Sequence, residues 1–136
     1  MNPVLKNILA LLIGFIIGGI VNMGIIMISG AVIPPPEGGD VTTMEGLKAT
    51  MHLFEPKHFI MPFLAHALGT LAGAFVAAKI ATSRNMLFAM LVGVFFFIGG
   101  FISVNSLGGP MWFNALDLIV AYFPMAYLGW KLAGSK

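Results

Sequence analysis

An aspartate and a histidine set in apolar sequence are the residues of this chain with the most chemistry to offer. Asp117 follows Asn114-Ala115-Leu116 and precedes Leu118-Ile119-Val120, while His66 sits within Phe63-Leu64-Ala65-His66-Ala67-Leu68. Asn22, Thr70 and Asn105 are further polar side chains in comparably apolar surroundings. Read as helix, the thirteen residues from His66 to Lys79 and the fourteen from Asp117 to Lys131 each span about 20 Å. Both groups then stand level above a common basic end. Asn22 falls at a similar depth above Lys6, Thr70 one turn below His66, and Asn105 nearer the opposite end. A carboxylate in hydrocarbon costs about 2.5–3.5 kcal/mol on insertion scales, so it turns toward protein or water. Asp117 and His66 are therefore expected to face inward and pair. The pair would serve either as a structural hydrogen-bond cluster or as a polar vestibule that exchanges a proton or holds a polar solute.

Other constellations are weaker. His52, Glu55 and His58 form an H-x-x-E-x-x-H array, but zinc helices present histidines four apart on one face, and Pro56 interrupts any helix here. These three are the weakest candidates for a metal site, and no metal or cofactor is expected. The chain has no cysteine, which excludes disulfides and thiolate ligands. It contains no phosphate loop and no Ser–His–Asp spacing. A lone embedded carboxylate cannot run two-carboxylate acid–base catalysis, so the reading leans away from an enzyme.

The elements that must hold these residues are read from hydropathy. Hydrophobic residues make up 59% of the chain and charged ones 9%, against about a quarter charged in soluble domains. Four apolar stretches, residues 4–33, 59–81, 86–107 and 111–132, each match the ~20-residue helix that spans about 30 Å of hydrocarbon. The first resembles a signal peptide, yet its apolar run is about twice the usual length and is expected to remain as a crossing. If the chain weaves through a bilayer, Lys6, Lys79, Arg84, Lys131 and Lys136 share one side. The acids Glu37, Asp40, Glu45, Glu55 and Asp117 lie at or near the other, with Lys48 and Lys57. That asymmetry predicts cytoplasmic N- and C-termini. It also argues against dual-topology transporters and fluoride channels, which need balanced cations. The fold class is thus all-α: an integral membrane four-helix bundle in a single domain, residues 1–136. No basic patch for nucleic acid is present.

Between the first two crossings, Pro34-Pro35-Pro36 ends a helix, and the outer loop spans residues 34–58. Thr42 and Glu45 match a capping box that would start a short amphipathic surface helix over residues 43–54, with Met44, Leu47, Met51 and Phe54 on one face. Pro62 and Pro124 fall inside crossings two and four and could break them, freeing carbonyls. Trp112 and Trp130 bracket the last crossing, about 27 Å apart on a continuous helix. The segments 74–81 and 126–133 align as a faint internal repeat, as do 17–19 and 98–100, which is compatible with two tandem hairpins. GxxxG pairs at Gly14/Gly18 and Gly69/Gly73, with Gly99 and Gly100, are expected to carry helix packing or to form a groove for a partner or lipid.

Pro34-Pro35-Pro36 followed by Gly38 and Asp40, the run Leu68-Gly69 to Gly73 with Ala77-Ala78 and Ile80-Ala81, and Pro110-Met111-Trp112-Phe113 resemble a family of small four-helix bacterial inner-membrane proteins. The resemblance covers most of the chain. It implies a bacterial inner membrane and attaches no activity. Where this chain has Asn22, an acidic residue is common in that family.

The expected function is that of a non-enzymatic membrane component, packed through its glycine faces as a homo-oligomer or against a larger membrane-protein partner in the lipid bilayer. The alternatives are a small homo-oligomeric channel or proton-coupled transporter using Asn22, His66 and Asp117, and, last, a lipid- or quinone-binding membrane enzyme.

Overall fold

Proline and glycine punctuate the chain where its helices stop. A computed structural model describes residues 1–134; Lys136, one of the cations assigned to the cytoplasmic side, lies outside the described residues. The first helix, α1, runs Pro3–Val32, opened by Asn2, whose side chain accepts from the Val4 N–H, and closed ahead of Pro34. A short α2 (Met44–Thr50) and two 3₁₀ turns (Met51–Leu53, Pro56–Phe59) lead into α3 (Ile60–Ile80). α4 (Asn85–Leu107) follows, then α5 (Met111–Val120) and α6 (Phe123–Leu132). The chain is all-α. Four spans, Pro3–Val32, Pro56–Ile80, Asn85–Leu107 and Met111–Leu132, are long and apolar enough to cross a membrane. Large apolar side chains stand exposed along their outer faces, Met27 (78%) and Ile119 (68%) among them, and this points to a membrane protein, since a soluble monomer rarely shows wide apolar patches.

The bundle is built around α3. On one flank α1 runs antiparallel to it at backbone contact. A Cβ on Gly14 would meet the Gly73 carbonyl oxygen at 2.6 Å, and one on Gly18 the Gly69 carbonyl at 2.6 Å. The two GxxxG pairs therefore face each other, each needing the absent side chain of the other. On the opposite flank Gly129 of α6 approaches the Leu71 carbonyl in the same way. α4 packs behind, Val92 against Gly73 and Gly93 against Ala126. The core near Arg84 is made of Ala74, Ala77, Ala78, Ala89, Val92 and Ala126, all buried. Small side chains let backbones close up, which is where helices gain contact energy when lipid is the competing solvent. Segments 74–81 and 126–133, matched as a repeat, lie at the same end of the molecule in α3 and α6, which run parallel here.

Turns are pinned by side chains. The amide of Asn85 is buried and donates to the carbonyls of Ala78 (2.6 Å) and Ala81 (2.8 Å), satisfying the end of α3. Arg84 turns the chain in the left-handed region at φ 50°. Asn7 of α1 accepts from the Thr82 N–H (2.8 Å) and hydroxyl (3.1 Å), tying the first helix to this turn. At the other end Phe59 is buried against Phe54, Trp112 and Phe113.

Several expectations need correction. The surface helix is only Met44–Thr50, and its cap is Thr43, which accepts from the Gly46 N–H. Thr42 instead turns to the Asp40 carboxylate, to which its N–H and hydroxyl both donate (2.9 and 2.6 Å). Pro62 does not break α3. It sits in the first turn, where its missing N–H has no role. Pro124 does divide the last span: it cannot donate to the Val120 carbonyl, so Ala121 and Tyr122 turn between α5 and α6. The straight 27 Å rise from Trp112 to Trp130 therefore does not apply. Gly99 carries no packing within the chain, as a Cβ there would meet nothing within 4 Å.

Candidate functional site

The turn before Pro124 is what brings the embedded polar residues together. It directs Tyr122 into the bundle, where the side chain is almost wholly enclosed (1% exposed). α5 delivers Asp117 to the same place, 2% exposed, and α3 delivers His66. The His66 Nδ1 lies 2.8 Å from Asp117 Oδ1 and 3.0 Å from Oδ2. The Tyr122 hydroxyl donates to Oδ2 at 3.1 Å, and its ring stacks on the imidazole with centroids 5.9 Å apart. Gly100 of α4 makes room for the phenol; a side chain there would collide with it. Phe97 closes the edge of the Tyr122 ring.

An ionised carboxylate only accepts hydrogen bonds. In the tautomer that donates to such a carboxylate, Nδ1 carries the hydrogen and Nε2 is the other polar atom of the ring. His66 keeps a quarter of its side chain accessible (25%), whereas Asp117 keeps 3%. Among the described residues no buried side-chain nitrogen or oxygen lacks a partner, and no hydrogen bond is made by Nε2. His66 lines a cavity of about 210 Å³ together with Asn22, Phe96, Gly99, Gly100, Ser103 and Tyr122. Asn22 comes from α1, Phe96 to Ser103 from α4. Phe96 stacks on Phe15 (5.4 Å) and packs over Gly18, closing the cavity on the side toward Arg84.

Of the residues expected at this level, Asn22, His66 and Asp117 converge; Asn22 lines the cavity with its Cβ against Gly69. Thr70 is buried next to them but its hydroxyl donates to the His66 carbonyl (2.8 Å), the habitual bond of a mid-helix threonine. Asn105 is not part of the site. It is exposed and donates to the Phe101 carbonyl of its own helix (2.9 Å). Tyr122 and Ser103 were not anticipated. Tyr122 carried a signal, standing two residues before Pro124; Ser103 carried none beyond its place four residues after Gly99.

The His52, Glu55 and His58 array does not assemble. His58 Nδ1 accepts the Glu55 N–H (2.8 Å), Glu55 pairs with Lys57 at 3.8 Å, and among the described residues no three metal-binding side chains converge. His52 instead borders a second, wider cavity of about 450 Å³ with Lys48, Met51, Phe54, Leu107, Gly109 and Pro110. Leu107 is one turn from Ser103, so a single face of α4 serves both cavities.

The paired site is chemically a hydrogen-bonding base. Asp117 orients the imidazole and Tyr122 holds Asp117, leaving Nε2 as the remaining hydrogen-bonding atom of the ring. Comparison of the chain with protein-family models, with curated proteins and with solved structures finds no match, so the role of this site must come from its own chemistry.

Proposed function

We propose that this chain is a non-enzymatic component of a bacterial inner membrane, crossing it four times with both termini in the cytoplasm. It binds a hydrogen-bonding ligand in the outer half of the bilayer at Asn22, His66, Ser103 and Tyr122. The observation that carries the reading is the Asp117–His66 contact at 2.8 Å, made by an enclosed carboxylate beside a polar cavity. An embedded ionisable pair is expensive, and a pair that leaves one nitrogen open to a cavity is arranged for a visitor. Lys6, Lys79, Arg84 and Lys131 gather at the end opposite the loop, which supports the orientation. Small faces left over on α1, at Gly19 and Gly24, are available to a second copy or a larger membrane protein.

Between the cavity and the Arg84 end, Gly14, Gly73, Ala77, Val92, Gly93 and Ala126 are in close contact, so a channel or transporter using this site would need its path between copies of the chain. Cysteine labelling tests the proposal, because the native chain has no thiol of its own. In intact cells a membrane-impermeant maleimide should modify Gly38→Cys and spare Ser83→Cys. The reverse pattern would overturn the orientation and, with it, the placing of the site.

A further inference from the structure

The cavity is partly open, is lined also by His66 of α3 and by Tyr122, and lies between α1 and α4. These parallel helices touch where Phe15 meets Phe95 (5.9 Å) and Phe96 (5.4 Å), and where Gly18 meets Phe96. Further along α4, Gly99, Gly100 and Ser103 border the cavity. Gly99 and Gly19 have open space in front of them, and Ile98, Ile102 and Met23 around them are exposed. Resting on the reading of this cavity as a ligand site within a bilayer, the opening faces lipid rather than water. What enters must be lipid-soluble.

Its chemistry narrows further. No lysine or arginine lines the cavity, so a phosphate head would find no matching charge. Drug-sized ligands fill about 300–1,000 Å³, whereas about 210 Å³ takes a single ring with its substituents and leaves any tail outside. Aromatic rings are prominent in its lining: Phe96, and the stacked imidazole and phenol of His66 and Tyr122. Polar residues come from three helices, Asn22 on α1, His66 on α3 and Ser103 on α4, so a ring that carries more than one oxygen has more than one partner available. We propose that the cavity binds the head of a membrane quinone or its quinol, with the isoprenoid tail leaving between α1 and α4. Bare Nε2 of His66 accepts from a quinol hydroxyl; protonated, it donates to a quinone carbonyl. Asn22 and Ser103 each donate or accept, and so suit either form.

The test uses the full chain in phosphatidylcholine nanodiscs titrated with decylubiquinone, whose fully substituted ring does not alkylate thiols. Saturable one-to-one binding above partition into protein-free nanodiscs is expected. It should weaken by about tenfold or more in Gly99→Leu, which fills the cavity without a backbone clash. In parallel, Ser103→Cys is treated with a small membrane-permeant methanethiosulfonate. Labelling that decylubiquinone blocks supports the proposal. Labelling without saturable quinone binding, or binding that Gly99→Leu leaves intact, overturns the quinone assignment and leaves the cavity standing. No labelling at all removes the cavity, and both readings fall together.

Discussion

The Tyr122 phenol donates to Oδ2 of Asp117, five residues earlier in the chain, at 3.1 Å. A continuous α-helix turns about 500° over five residues, so the two side chains would diverge. The break ahead of Pro124 realigns them, and the carboxylate is then held from two sides, by an imidazole and a phenol.

The pair should be energetically coupled. Asp117→Leu leaves the Nδ1 of His66 and the Tyr122 hydroxyl without their acceptor, at a cost of about 1–3 kcal/mol. His66→Leu combined with Asp117→Leu should cost less than the sum of the two, with a coupling of about 0.5–3 kcal/mol. Unfolding in mixed micelles, followed by circular dichroism, gives all four corners of the cycle. Strict additivity would mean that the contact contributes nothing.

Glycine faces can be ranked by what a methyl group would meet. Gly18→Ala drives a Cβ to 2.6 Å from the Gly69 carbonyl and should destabilise the bundle by about 1–3 kcal/mol. Gly24→Ala enters open space and should leave stability unchanged or raise it by up to about 1 kcal/mol. The same unfolding assay compares them, and equal effects would sink the α1–α3 packing described here.

Asn85 satisfies two carbonyls at the end of α3. Replacing it by leucine, at the same buried place, strands both and should cost about 1–3 kcal/mol. Amide exchange of the turn at residues 81–85 should accelerate with it. An unchanged exchange rate would show that water replaces the amide at no cost.

Asp40 lies in the loop, outside the spans, and the Thr42 hydroxyl and N–H hold its carboxyl below the ordinary 3.8. A depressed value means that the folded loop prefers the ionised form. The contribution is present above the ordinary aspartate value and is lost as pH falls through the lowered one. A carbon-detected titration should therefore place Asp40 below 3.8 in the native chain and nearer 3.8 in Thr42→Val. No difference between the two would reject the hydroxyl as a cause.

Length and composition sufficed to place the four spans, to within a few residues of the observed ends, because hydropathy over about 20 residues is a local property that no partner can change. His66 and Asp117 were expected level with each other, and their 2.8 Å contact shows them so. The break ahead of Pro124 nevertheless voids the straight rise from Asp117 to Lys131 on which half of that expectation rested. Height carries no azimuth. Asn105 was grouped with the polar candidates from its position along α4 alone, nearer the opposite end; in the structure it is exposed and bonds its own helix. Thr42 failed as a cap for a related reason, being claimed by Asp40 two residues before it, a competition that spacing does not rank. Pro62 and Pro124 read alike, yet one begins a helix and the other divides one. The outcome depends on whether the chain behind it is already helical. Only the tertiary structure decided that Gly18 would face Gly69, that Gly99 would face nothing, and that Ser103 and Tyr122 would join His66 at one cavity. Such meetings are set by helix rotation and by contacts between residues far apart in the chain, whereas periodicity in a single segment reports only on itself.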